Sequence, residues 1–112
     1  MGATGREFVF KFLHVLKEYG IDLELRELEK EDKERYYGTI EKYYFSGDKQ
    51  TEYKGIISIN FKRVKTNNKL RLVIAHELAH LVSSEKSFRE RWKFWNKRCK
   101  ELVKIMENEN VK

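Results

Sequence analysis

The stretch "GIISINFKRVKTNNKLRLVIAHELAHLV", residues 55–82, contains the two elements that decide the fold. Its first part is rich in β-branched residues, which favours a strand. Its last part is mostly apolar and follows the polar segment "KTNN", in which an asparagine can cap a helix. We therefore predict a strand, a short loop and a mostly buried helix from Leu70 to Val82 that ends near Ser83 and Ser84.

The predicted helix carries the sequence "HELAH", which suits a zinc site. His76 and His80 lie one helical turn apart on the same face, so both rings can reach one ion without distorting the backbone. A catalytic Zn²⁺ takes three protein ligands and leaves the fourth position for water, and neutral imidazole is among its preferred donors. Zinc would acidify its bound water, and Glu77 would take a proton from that water and later deliver it to the leaving amine.

The alternative is that two histidines fall on one helix face by coincidence. Shuffling this composition would produce an HExxH pattern in roughly one chain in a hundred, so the pattern is informative but does not stand alone. Its placement on an independently predicted helix, after predicted strands, favours the metal site.

The residues before this stretch predict one helix and two further strands. Thr4 and Glu7 form a capping box, apolar residues follow at helical spacing from Phe8 to Tyr19, and Gly20 is a natural helix stop. Strands are predicted within "IDLEL" (21–25), "YYGTIEKYYF" (36–45) and "YKGIISINF" (53–61), the last two as a hairpin about Gly47 and Asp48.

After the "HELAH" helix, Ser87 and Glu90 open another capping box and a long third helix. Its buried stripe is predicted to contain Phe88, Trp92, Trp95, Cys99, Leu102 and Met106. We interpret the two tryptophans as core residues rather than as platforms for stacking bases, because a small domain needs that area buried. The order is αβββαα in a single domain, residues 1–112, of the α+β class, with a small three-stranded sheet packed on the N-terminal helix and the "HELAH" helix.

In residues 55–82 the chain resembles the strand, loop and active helix of small zincin-type metallopeptidases, in particular the SprT-like/WLM-like and ImmA/IrrE-like families. The resemblance implies a zincin-like fold, with His76 and His80 as zinc ligands and Glu77 as general base. It also implies hydrolysis of peptide bonds, with the polypeptide substrate held in an extended form along a strand near the active helix. The tyrosines available to stabilise an oxyanion are Tyr43, Tyr44 and Tyr53, and spacing singles out none of them.

The third zinc ligand is where the sequence departs from those families. SprT-like proteins usually place a histidine in the loop after HExxH, and ImmA-like proteins use an acidic residue farther along, whereas this chain has no histidine after His80. His14 is expected on the exposed face of the first helix. At 100° per residue, Glu90 and Glu101 should face solvent while Glu85 lies where the loop turns back, so we predict Glu85 as the ligand. Glu101, a ligand from a partner chain, and a weak two-histidine site remain alternatives.

The charge is unevenly distributed. Residues 54–104 carry 14 Lys or Arg against 4 Asp or Glu, a balance of +10, whereas residues 1–53 carry 9 against 12. This basic stretch is either a solvated surface or a face that attracts DNA, a DNA-bound protein or an acidic polypeptide. A second hypothesis follows, in which the chain is an inactive zincin-fold module that binds DNA or a protein partner. A protease acting on DNA-associated or regulatory proteins would combine both hypotheses.

The remaining composition indicates the compartment. The single Cys99 excludes an intramolecular disulfide framework. There is no apolar run long enough to span a membrane and no secretory signal pattern, so we expect a cytoplasmic protein without a membrane partner. Peptide specificity and oligomeric state are not encoded in any motif.

Overall fold

The computed structural model describes residues 5–28, 37–42, 53–81 and 87–110. Within them the elements are α1 (Gly5–Glu18), β1 (Ile21–Glu27), β2 (Gly38–Lys42), β3 (Tyr53–Ile59), α2 (Asn67–Leu81) and α3 (Phe88–Asn110). The predicted order αβββαα is confirmed. The predicted cap Thr4, the hairpin turn at Gly47 and Asp48, and the predicted ligand Glu85 lie outside the described residues.

The three strands form one mixed sheet in the order β1-β3-β2. The central strand β3 pairs in parallel with β1, where Ile57 is opposite Leu25, and antiparallel with β2, where Ile57 is opposite Ile40. The antiparallel partnership predicted for β2 and β3 is confirmed. The protein is therefore of the α+β class, with a small three-stranded sheet, as predicted.

The core lies between the sheet and the helices. Helix α1 contacts β1, α2 and α3, and α2 contacts β2, β3 and α3, so the sheet packs on the two helices that the sequence predicted. Fully buried side chains come from every layer and include Phe8, Phe12, Leu16, Ile57, Ile59, Leu70, Ile74, Leu78 and Leu102. Burial of this apolar area is the main driving force for folding.

The helix ends follow local chemistry. Gly20 has a φ of 85°, a left-handed conformation that glycine adopts without strain, and it ends α1 as predicted. Helix α2 begins at Asn67, three residues before the predicted start, because the Thr66 hydroxyl accepts a hydrogen bond from the Lys69 amide at 3.2 Å. The cap is thus Thr66 rather than an asparagine. Ser87 accepts from the Glu90 amide at 3.4 Å, which confirms Ser87 as the cap of α3, and the Glu90 carboxylate accepts from the Ser87 hydroxyl at 3.4 Å.

Helix α3 has one apolar face and one basic face. Trp95, Cys99, Leu102 and Met106 are buried, which confirms the core role of Trp95, whereas Phe88 and Trp92 are only partly buried. The opposite face exposes Arg89, Lys93, Lys97, Lys100 and Lys104. None of the helices in the described part of the chain combines the length and the apolar character that a membrane span needs.

Candidate metal centre

The two histidines of α2 point their rings at a common position. The Nε2 atoms of His76 and His80 are 3.2 Å apart. Two nitrogens bound to one tetrahedral zinc at 2.0–2.1 Å would be separated by about 3.3 Å. The observed distance fits two lone pairs on one ion, and it equally fits a hydrogen bond in which one ring donates an N–H to the other. Two imidazoles at this separation are a donor set that suits zinc.

The surroundings of His76 favour the neutral form that binds metals. Burial lowers the pKa of His76, and a positive charge on His80 would lower it further. Neutral imidazole is the ligating state, because protonation removes the lone pair that the metal needs. The lowered pKa thus favours the neutral form of His76 near neutral pH.

Two aromatic rings from α3 form a wall beside the histidines. The Phe88 ring stacks on His80 with centroids 4.4 Å apart and meets His76 edge-on at 5.3 Å. The Trp92 ring lies 5.5 Å from His76, also edge-on. These contacts restrict the imidazole rotamers and keep solvent from one side of the pair.

Glu77 is a buried carboxyl on the same helix. It is 9% exposed, and its burial raises the pKa of the carboxyl to about 7. Near neutral pH such a group exists in both protonation states, which suits a residue that first accepts and then returns a proton. The position therefore provides the chemistry expected of a general base.

The first residue of β2 makes a close approach to α2 at this point. A Cβ atom placed on Gly38 would lie 2.8 Å from Val73 Cγ1, 3.0 Å from the backbone oxygen of Ser58 and 3.9 Å from Glu77 Cγ. A side chain at this position would push the helix from the strand. Gly38 thus lets the edge of the sheet lie directly against the helix that carries the histidines.

An open cleft of about 360 Å³ begins at these groups. It is lined by Tyr37, Gly38, Lys69, His76, Glu77 and Trp92, together with two apolar residues of α2. One end therefore holds a histidine of the pair and the buried carboxyl. The other end has a half-exposed tyrosine ring with the Lys69 ammonium 4.9 Å from its centroid.

Two arginines fasten α3 to α2 and so position the aromatic wall. Buried Arg71 donates to the Asn96 side chain at 2.8 Å and to Asn68 at 3.0 Å. Arg91 donates to the backbone oxygen of Ala79 at 2.9 Å, which satisfies a carbonyl in the last turn of α2. The hydrogen bonds join the helices near both ends of the histidine pair.

The structure leaves the third ligand as a prediction. Glu85 lies outside the described residues, so its contacts are not observed. Glu90 is exposed and accepts a hydrogen bond from the Ser87 hydroxyl, and Glu101 is exposed and pairs with Arg98 at 3.4 Å. His14 is exposed on α1 as expected. Across residues 5–28, 37–42, 53–81 and 87–110, no three His, Cys, Asp or Glu side chains are grouped as metal ligands.

Several residues of the site were not identified from the sequence. Tyr37, Gly38 and Lys69 line the cleft, and Phe88 and Trp92, assigned to the core stripe, contact the histidine rings. One local signal pointed to Phe88 and Trp92: they are the two residues of the apolar stripe nearest the loop after α2, and so nearest the histidines in sequence. Tyr37 and Gly38 are brought to the site by packing of a distant segment against α2, whereas Lys69 lies two turns before His76 on the same helix.

Comparison with protein-family models, with curated proteins and with solved structures found no match.

Proposed function

We propose that this protein is a zinc-dependent metallopeptidase with a zincin-like active helix. The observation that carries the proposal is the 3.2 Å separation of the His76 and His80 Nε2 atoms, beside a buried carboxyl at the head of a cleft. A hydrogen-bonded histidine pair would explain the distance alone. It would not explain why Glu77 is kept in a desolvated position next to it, since burying a carboxyl costs free energy.

In this function each residue has a defined role. His76 and His80 would hold the zinc, and zinc bound there supplies polarisation of the scissile carbonyl and acidification of the attacking water. Glu77 accepts the proton of that water and delivers it to the leaving amine. Phe88 and Trp92 hold the imidazoles and exclude water from one side.

The edge strand β2 supports an extended substrate. One side of β2 pairs with β3, and no other described strand pairs with its second side. An extended polypeptide can add to such an edge through backbone hydrogen bonds, which recognise any sequence in the extended form. Gly38 lies where the edge meets α2, so a polypeptide on β2 would pass close to Glu77.

The metal site is tested by zinc stoichiometry. We expect about one zinc per chain by atomic emission, lost in His76→Ala. His14→Ala is the matched control, because His14 is an exposed histidine on α1 and its loss should leave the zinc content unchanged. A purified chain that never retains or binds a transition metal would end the proposal.

The role of Glu77 is tested separately. Glu77→Gln should keep the metal and lose hydrolysis by about two to four orders of magnitude, the usual contribution of a general base. Equal cleavage by both proteins would exclude the proposed base.

We propose Glu85 as the third zinc ligand. If so, Glu85→Gln should weaken zinc affinity, whereas Glu90→Gln and Glu101→Gln should not, because both of these side chains are exposed on α3. Zinc affinity is measured by competition with a chelator. Equal affinity in wild type and Glu85→Gln would show that Glu85 is not a ligand, so that the two histidines would be the ligands known from this chain.

A second candidate function is a zincin-fold module that binds DNA without proteolysis. The observation that favours it is the basic face of α3, on which five cations at spacings of four, four, three and four residues are all exposed. They extend over about 22 Å of helix, enough to contact several phosphates. Binding of duplex DNA would then weaken with salt, with a slope of about −4 to −5 in log–log form, and removal of metal would not change it.

A further inference from the structure

We propose that the cleft selects polypeptides with an acidic side chain about three residues C-terminal to the cleaved bond, held by Lys69 with help from Arg63. This inference rests on the proposed peptidase function, whose substrate class it specifies. It is carried by the charge and geometry of the cleft end opposite the histidines.

The cleft end is a cationic site built on a tyrosine. The Tyr37 ring has the Lys69 ammonium 4.9 Å from its centroid and the Arg63 guanidinium 5.7 Å from it. Both cations are exposed, and neither forms an ion pair with a carboxylate in the described part of the chain. Attraction between each cation and the ring favours conformations in which both positive charges lie near Tyr37.

The charge of this end is not balanced within the cleft. The carboxyl among the described lining residues is Glu77, at the opposite end and on the same helix as Lys69. A carboxylate from a bound polypeptide would meet the Lys69 ammonium beside Tyr37, and both groups can donate hydrogen bonds to it. Arg63 does not line the cleft, but its guanidinium lies near the same ring and adds positive charge close by. A basic side chain at the same place would be repelled.

The spacing along α2 sets the distance from the Lys69 charge to the proposed catalytic site at His76. Lys69 precedes His76 by seven residues, which is two turns and about 10.5 Å along α2. An extended polypeptide advances about 3.3 Å per residue, so this length corresponds to about three residues.

The contacts of β2 set the direction. Tyr37 contacts Lys69, and the next residue, Gly38, lies against Val73 and Glu77, so β2 and α2 run the same way. A polypeptide antiparallel to β2, the commoner pairing, would run from the histidines toward Lys69. The acidic residue is therefore on the C-terminal side of the cleaved bond.

The test uses three fluorescently labelled peptides that are identical except for Glu, Gln or Lys three residues after the cleaved bond. Binding to the wild-type chain is measured by anisotropy, and cleavage by kcat/KM in the presence of zinc. We expect the Glu peptide to be preferred over the Gln peptide by up to about fivefold, the value of an exposed ion pair, and the effect to appear in KM rather than kcat.

Charge reversal at Lys69 is the decisive variant. Lys69→Glu should invert the preference to the Lys peptide. It places a carboxylate in the first turn of α2, where the helix dipole favours negative charge, so the variant should fold. Lys17→Glu on α1 makes the same change of charge at an exposed position that does not line the cleft, and its preference should match the wild type.

The outcomes separate the two proposals. Selective binding of the Glu peptide without cleavage would support the charge site and count against the peptidase. Cleavage without charge preference, or an unchanged preference in Lys69→Glu, would overturn the charge site while the peptidase stands. No binding of any of the three peptides, with duplex DNA bound by wild type and not by Lys69→Glu, would overturn the acidic polypeptide in favour of nucleic acid.

Discussion

Replacing Gly38 with alanine should separate the sheet from α2 at the candidate site. The added Cβ would lie 2.8 Å from Val73 Cγ1 and 3.0 Å from the Ser58 backbone oxygen, whereas ordinary contact begins at 3.4 Å. The strand and helix must therefore move apart by about 0.6 Å (3.4 − 2.8), and overpacking of this kind costs about 1–3 kcal/mol. Reduced chain entropy of the unfolded state offsets about 0.4–1 kcal/mol of that loss.

We expect a net loss of about 0.5–2 kcal/mol in the free energy of unfolding, measured by urea denaturation, and a fall of several degrees in Tm. Zinc affinity should be nearly unchanged, because His76 and His80 belong to one helix and move together. Removing the Val73 methyl groups supplies the control: Gly38→Ala with Val73→Ala should cost less than the sum of the single changes by about 1 kcal/mol. Additive single changes, or an unaltered Tm in Gly38→Ala, would show that β2 does not lie this close to the helix.

Two further predictions concern groups beneath the site. Burial raises the pKa of the Cys99 thiol to about 12, whereas the thiol of the unfolded chain ionises near 9.0. Between these values the unfolded state loses the thiol proton and the folded state retains it. The stability that this group contributes is therefore complete below pH 9 and is lost as the pH rises toward 12. The free energy of unfolding of the wild type should then fall with pH by up to about 1.4 kcal/mol per unit more steeply than that of Cys99→Ala, and parallel curves would refute the shift. Arg71→Met should lower the free energy of unfolding by about 1.5–3 kcal/mol, because it removes the charge-assisted hydrogen bonds that buried Arg71 donates to Asn96 and Asn68. Arg98→Met, which removes an exposed ion pair, should cost less than about 1 kcal/mol in the same denaturation assay, and equal losses would contradict the account.

Local signals account for most of the fold that could be predicted. Capping residues, a stop glycine and apolar periodicity predict the three helices. Alternation of apolar and acidic residues predicts β1, and segments rich in aromatic and β-branched residues predict β2 and β3. The sequence predicts a start of α2 at Leu70, three residues after the observed start, because Thr66 rather than an asparagine provides the cap. The parallel pairing of β1 with β3 could not be predicted, since it joins residues about thirty positions apart and leaves no local pattern.

The candidate site likewise combines a motif that is local in the sequence with residues that only folding brings to it. His76, Glu77 and His80 form a local motif, and the structure places the two imidazoles together with the carboxyl beside the cleft. Tyr37 and Trp92 reach the cleft through strand pairing and helix packing, which no spacing within the chain reveals. Glu85, outside the described residues, stays a prediction.

The central position of β3 has a consequence for synthesis of the chain. Both β1 and β2 precede β3 and pair with it rather than with each other. A nascent chain whose emerged part ends before residue 53 therefore holds two strands whose shared hydrogen-bonding partner is missing. Because α2 follows β3 within a few residues, the helix that carries the histidine pair begins to emerge from the ribosome soon after the sheet can form.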